Sequence, residues 1–233
     1  MNIPEMQART AALIGEEALL RLSQSHVTVV GLGGVGGHCA ESLARAGVGR
    51  LHLVDMDTVN ESNLNRQLVA TKRTMGRRKT DAMRDRLLDV SDCAVTTCDC
   101  LIGNDTAEAA IPIETDFIVD AIDMMSGKLA LVMLAQSRGT PILSCMGAGN
   151  RLDPGAFTVC DIFETEGCPL ARRMRHELRA AGVNALPVVF SREAAHTAPG
   201  QRVIGSLAPV TAAAGLCAAG YVLRQLAFPD AKR

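Results

Sequence analysis

Three groups of residues could do chemistry together. The first is a glycine run, Gly31-Leu-Gly33-Gly34-Val-Gly36, directly after the β-branched stretch Val27-Thr-Val-Val30. Glycine there permits a tight turn and a close approach of backbone to a ligand. The helix expected after it turns its positive end and open N–H groups towards an anion. The second is Asp55, about twenty residues on, where a carboxylate accepts ribose hydroxyls. The third is cationic: Arg66, Arg73, Arg77, Arg78 and Lys79. A dinucleotide diphosphate needs little beyond the helix end, whereas a triphosphate gains from Arg and Lys clamps as charge builds in nucleotidyl transfer. This combination favours ATP over NAD. An NAD-dependent oxidoreductase would leave Arg66, Lys79 and a later carboxylate, Asp123, without a role.

Asp123 belongs to Phe117-Ile-Val-Asp120-Ala-Ile-Asp123, an apolar run that ends on two carboxylates. Ligands of open α/β sheets bind at the carboxyl ends of strands. One carboxylate there could hold Mg²⁺ against ATP phosphates, and the other reading is a cap for the following helix. Asp123, further out of the strand, is the expected metal residue.

The elements that must position these groups follow from periodicity. Short buried runs at 27–30, 51–54, 94–98, 117–120 and 141–146 alternate with amphipathic stretches. That order predicts an α/β fold, a Rossmann-like doubly wound and mainly parallel sheet. Residues 9–22 form an arm and short helix, with Leu19 and Leu22 expected on the sheet edge. Residues 1–150 then form the nucleotide-binding half. After Arg151 the pattern changes, and 151–233 is expected to be a smaller C-terminal extension of the same domain, on the substrate side. It carries strands near 156–160 and 185–190 and a helix opened by Cys168-Pro169. Leu170, Met174, Leu178 and Ala181 form the apolar side of that helix, and Arg172, Arg175, His176 and Arg179 the other. A solvated face is the default reading of such a row, and a phosphate-backbone contact surface for RNA is the other. The polar loop 191–201 could act as a lid.

With 233 residues and 48% hydrophobic content the chain can bury a sizeable core. Its net charge of −1 excludes a global basic field, so any nucleic acid must be met locally. Eight cysteines include no Cys-x-x-Cys pair, which argues against a zinc ribbon. Reduced thiols and an N-terminus without a secretory pattern point to a cytoplasmic protein. Residues 203–223 carry no charge, but their Ala, Gly and Pro content fits a buried helix better than a membrane anchor.

The set Val-Gly-Leu-Gly-Gly-Val-Gly (30–36), Leu-Val-Asp-Met-Asp (53–57), Ser-Asn-Leu-Asn-Arg-Gln (62–67), Lys79 and Asp-Ala-Ile-Asp (120–123) resembles the ubiquitin-activating-like adenylating enzymes. Within that family the chain is most similar to the tRNA threonylcarbamoyladenosine dehydratases. The likeness to this branch includes Arg9-Thr10, Gly147-Ala-Gly149-Asn150-Arg-Leu-Asp153-Pro154, Pro169-Leu-Ala-Arg-Arg-Met-Arg and Gly205-Ser206. The resemblance implies ATP held by Gly31, Gly33, Gly34, Gly36, Asp55, Asp57 and Asn63. It places Arg66 and Lys79 on the phosphates, Mg²⁺ on Asp123, and Arg9 in the site of the neighbouring subunit of a homodimer. The implied reaction adenylates the carboxylate of a threonylcarbamoyl group on tRNA, after which an internal nucleophile closes a ring and expels AMP. The alternative within the family is an adenylyltransferase that activates the C-terminus of a ubiquitin-like sulfur-carrier protein. The missing Cys-x-x-Cys pairs count against it.

Overall fold

The β-branched run before the glycines forms strand β1 (His26–Val30), and all five residues are buried. A strand covered on both faces has no need to alternate polar and apolar side chains. The computed structural model describes residues 3–196, 200 and 203–229. Before β1 lie α1 (Ala8–Ile14) and α2 (Glu16–Gln24), which meet at Gly15. After it come α3 (Gly36–Arg45), β2 (Arg50–Val54), α4 (Lys79–Val90) and β3 (Ala94–Cys98). Then follow α5 (Ala107–Ala110), β4 (Phe117–Asp120), α6 (Met125–Arg138) and β5 (Ile142–Cys145). The chain closes with β6 (Phe157–Asp161), α7 (Pro169–Ala180), β7 (Pro187–Ser191) and α8 (Ala208–Ala227).

One seven-stranded sheet runs in the order β3-β2-β1-β4-β5-β7-β6. Six strands are parallel, and β6 alone pairs antiparallel, with β7. The α/β, mainly parallel expectation therefore holds. The strand order reverses between β1 and β4, and the carboxyl ends of these two strands diverge into a crevice. Residues after Arg151 add β7 and β6 to this same sheet.

Two apolar layers cover the sheet. On one side α3 and α8 pack on β1, β2 and β5 through Cys39, Leu43, Ala214, Ala218 and Val222. On the other, α6 and α7 bring Leu131, Ala135, Met174 and Leu178 onto β4 and β7. Helix α8 is the one helix among the described residues long and apolar enough to cross a bilayer. Its Val210, Ala214, Ala218 and Val222 are buried at helical spacing, as expected of a core helix.

Two details differ from expectation. Leu19 and Leu22 are buried, but α2 lies on α8 rather than on a sheet edge. The apolar side of α7 is Leu170, Ala171, Met174 and Leu178, while Ala181 is exposed because the helix has ended there. The expected lid falls partly outside the described residues.

Candidate active site

The glycine turn is a steric necessity before it is a binding site. Gly31 has φ +90°, and its N–H donates to the Val54 carbonyl at 2.7 Å. A Cβ on Gly36 would sit 1.8 Å from the Gly31 carbonyl oxygen, so no other residue fits. Beside Gly33, in contrast, the nearest atom to an added Cβ is Gln67 Nε2 at 3.8 Å. That open side faces a cleft of about 760 Å³ lined by Gly31, Gly33, Gly34, Asp55, Asp57, Asn63, Arg66, Lys79 and Asp123. No side chain caps α3, and although the Gly37 N–H donates to the Gly33 carbonyl at 3.1 Å, the positive end of the helix adjoins the cleft at Gly34 and Val35.

Asp55 leaves the end of β2 and braces the turn. Its Oδ2 accepts the Leu32 N–H at 2.6 Å and its Oδ1 the Asp57 N–H at 2.8 Å. Burial raises its pKa, and the nearby Lys79 ammonium opposes that rise. Lys79 is the first residue of α4. Its N–H donates to the Asp57 carbonyl, and a short antiparallel bridge between Thr58 and Arg78 clasps the basic loop to the β2 exit. Lys79 Nζ lies 2.7 Å from Asp57 Oδ2 and 4.0 Å from Asp55 Oδ1. A buried ammonium is thus held against a carboxylate that is itself more than half exposed, an ion pair that phosphate oxygens could replace. Arg77 and Arg78 are engaged elsewhere: Arg77 pairs with Asp85, and Arg78 bonds the Met56 carbonyl and lies near Asp99.

Arg66 enters from the short 3-10 turn Glu61–Asn63. Its Nη1 donates to the Ser62 carbonyl and Asn65 Oδ1, both at 2.9 Å, which directs the guanidinium along the cleft rim. Asn63 is buried and accepts the Asn60 N–H in a capping box. It shapes the turn that presents Arg66 while also lining the cleft.

The two carboxylates at the end of β4 have different fates. Asp120 is sealed in the core, where its Oδ2 meets Lys128 Nζ at 2.9 Å and the Ser144 hydroxyl. Lys128 also donates to the Cys145 carbonyl at 2.7 Å. Asp123 is exposed and lines the cleft. The helix-cap reading is excluded, since no side chain caps α6. Sequence reasoning missed Lys128, although a signal was present: residues 128, 131, 132 and 135 share one face of α6. A lysine on an apolar stripe requires a buried acid. Among the described residues no three His, Cys, Asp or Glu side chains cluster as a metal site. Asp123 can therefore hold a divalent cation only together with oxygens of the nucleotide, which suits the hydrated, phosphate-bridging habit of Mg²⁺.

The other end of the cleft is formed by residues 145–151 after β5, by Cys168, Pro169 and Leu170 at the start of α7, and by Ala195. Cys168 is buried there. Cys100 lines the end near β3, and its thiol is pushed up to about 12 by burial. Arg9 lies exposed on α1 and does not line the cleft of its own chain. On α7, Arg175 donates to the Thr165 carbonyl at 2.8 Å, and Arg179 stacks over the Phe163 ring at 5.1 Å, while Arg172 remains exposed. The sequence-predicted nucleotide residues thus converge on the cleft except Gly36, which packs against the Gly31 carbonyl oxygen, and Arg9 and the α7 arginines lie apart from them.

Glu193 braces the loop after β5. Its carboxylate accepts the N–H groups of Leu152 at 3.0 Å and of Asp153 at 2.9 Å, and it pairs with His196. The Asp153 and Leu152 N–H groups and His196 hold its pKa below the ordinary Glu value. A depressed carboxylate contributes stability above its unfolded pKa and loses it as pH falls through the folded one. Amide exchange at Leu152 and Asp153 should therefore stay protected at a pH that protonates an ordinary Glu. In Glu193→Gln that protection should already be weakened at neutral pH.

The sequence profile of the ThiF family matches residues 6–231. The chain belongs to the ThiF family. Among ThiF-family relatives it is 39% identical over 188 residues to the tRNA threonylcarbamoyladenosine dehydratase of Bacillus subtilis, covering 80% of this chain and 74% of that one. It is 37% identical over 208 residues to the molybdopterin-synthase adenylyltransferase of Escherichia coli, covering 89% of this chain and 77% of that one. Among solved structures, the E. coli tRNA N6-threonylcarbamoyladenosine dehydratase in complex with ATP superposes with a TM-score of 0.90 at 33% identity. That match covers 95% of this chain and 93% of the other.

Proposed function

We propose that this ThiF-family chain is an ATP-dependent tRNA threonylcarbamoyladenosine dehydratase. The observation that carries the reading is a single cleft that brings the glycine turn together with the cations Arg66, Lys79 and Arg151 and the solvent-open carboxylates Asp57 and Asp123. It lies in a fold that follows an ATP-binding dehydratase nearly end to end.

ATP lies with its phosphates at the open side of Gly33 and the N-terminus of α3, and with its ribose beside Asp55. Arg66 and Lys79 neutralise the triphosphate as the α-phosphorus is attacked. Asp123 would hold Mg²⁺, which would supply charge neutralisation on the phosphate side of the cleft. A carboxylate oxygen of the threonylcarbamoyl group bonds to the α-phosphorus, and pyrophosphate leaves. An internal nucleophile of the same group then attacks the activated carbonyl and loses its proton. The acyl C–O bond breaks, and the oxygen departs on AMP. The product is lighter by one water, and no protein thiol takes part, in keeping with the buried Cys168 and the raised Cys100 thiol.

A homodimer in which Arg9 serves the partner's triphosphate, action in the cytoplasm and tRNA contact through Arg172 complete the proposal. The exposed position of Arg9 on α1 fits that role. Activation of a sulfur-carrier C-terminus is the weaker alternative, since the Cys-x-x-Cys pairs of such enzymes are absent from the sequence.

Incubation with ATP, Mg²⁺ and tRNA carrying threonylcarbamoyladenosine should convert that nucleoside to one lighter by a water, read by nucleoside mass analysis. No mass change, together with pyrophosphate exchange that requires a carrier ending in Gly-Gly, would reverse the ranking.

A further inference from the structure

Among the described residues the fold buries three cationic side chains, Lys79, Lys128 and Arg151. Lys79 meets Asp57 and Lys128 meets Asp120. Arg151 is 3% exposed, and its Nε and Nη1 have no hydrogen-bond partner. A buried guanidinium without a counter-charge is strongly unfavourable, so a fold retains one where an anion arrives to meet it.

The backbone around Arg151 is built to hold it in place. Asn150, just before it, has φ +56°, the one positive φ of a non-glycine residue among those described. The Asn150 carbonyl accepts the His196 N–H at 2.7 Å, and its Oδ1 accepts the Gly205 N–H at 2.6 Å. Just after it, Leu152 and Asp153 are bound by Glu193. Strain and bracing on both sides of one side chain are characteristic of a pre-organised binding group.

Arg151 lines the cleft on the side of β5 and α7. The lining there contains no carboxylate, and α7 begins without a side-chain cap, so its positive end adds to the field. The cleft acids, Asp55, Asp57 and Asp123, follow β2 and β4. ATP with its ribose at Asp55 occupies that half and leaves the β5 side to the group that attacks it. We infer that Arg151 binds the carboxylate of the threonylcarbamoyl group and presents it to the α-phosphorus. A guanidinium fork matches a planar carboxylate with two parallel N–H donors. Adenylation removes the carboxylate charge, loosens this contact and releases the acyl group for ring closure. The inference rests on the dehydratase reading.

The test compares the wild type with Arg151→Gln and Arg151→Lys. In Arg151→Gln the KM for threonylcarbamoyl-tRNA should rise at least about tenfold, the loss of roughly one charge-assisted contact. ATP affinity should stay within about twofold, and inhibition by tRNA lacking the threonylcarbamoyl group should be unchanged. The thermal midpoint should hold or rise, because an unpaired buried charge is gone. Arg151→Lys should recover part of the KM. Weakened ATP binding at constant tRNA KM would move Arg151 to the triphosphate and overturn the inference. So would a lowered midpoint with unchanged kinetics, which makes it a packing residue, or no change at all. An active wild type with an unaltered variant defeats only this inference. A wild type inert on the modified tRNA defeats the dehydratase reading and this inference with it.

Discussion

Replacing Lys79 by Ala should lower turnover by about two to three orders of magnitude, the usual effect of deleting a preorganised charge stabiliser. Arg66→Ala should do the same, since both cations line the cleft beside the glycine turn. The two variants should separate in their pH dependence. Burial raises the Asp55 pKa and Lys79 opposes that rise, so removing Lys79 lets it climb further. Asp55 must be ionised to accept ribose hydroxyls in addition to the Leu32 and Asp57 N–H groups. The acid limb of the rate profile should therefore move to higher pH in Lys79→Ala and stay in place in Arg66→Ala. The same sign applies to folding. Asp55 binds its proton more tightly folded than unfolded. Its contribution is present below the ordinary carboxylate pKa and is lost as pH rises through the raised value. Near-normal turnover in both variants would remove them from the phosphate site.

Lys128→Met should destabilise the protein by about 3–5 kcal/mol, the cost of leaving a buried carboxylate without its cation. Both side chains of the Lys128–Asp120 pair are fully buried, with Nζ and Oδ2 at 2.9 Å. Asp120 lies at the end of β4 next to the reversal in strand order, so loosening it also shifts the backbone that carries Asp123. The double variant Lys128→Met, Asp120→Leu should recover most of the loss, because an apolar pair of similar volume needs no solvation. Urea unfolding of the wild type and the two variants decides the matter. A single-variant loss below about 1 kcal/mol would mean that water reaches the pair and solvates Asp120.

Most of the nucleotide half could be derived from residues alone. The runs 27–30, 51–54 and 117–120 had to be buried strands because each is short and dominated by β-branched and large apolar residues. The glycines pointed to a tight turn between strand and helix, and the structure adds that Gly36 tolerates no Cβ against the Gly31 carbonyl. Asp55 and Asp123 followed from the position of the strand ends and Lys79 from the run of basic residues after Arg66, each a local property of the pattern. Arg151 and Lys128 were harder. Each is an ordinary basic residue in the chain, and only its surroundings make it unusual. Those surroundings come from segments far away in sequence: Ser144 and Asp120 for Lys128, Glu193 and His196 for the loop that carries Arg151.

The local order of strands, glycines, acids and cations was sufficient for a parallel α/β sheet with a nucleotide at its strand ends. A run of buried residues and a turn that excludes side chains leave few other solutions. Which charges face the ligand required the folded chain. Asp120 and Asp123 are three residues apart and equally acidic in isolation, yet one is sealed against Lys128 and the other opens to the cleft. The same holds for the cations. Arg77 and Arg78 pair away from the cleft, Lys79 rests between two carboxylates, and Arg151 lines the cleft with its Nε and Nη1 lacking a partner among the described residues. Pairing is a property of long-range contacts, and spacing along the chain hints at it only where a charge sits on an apolar stripe, as Lys128 does.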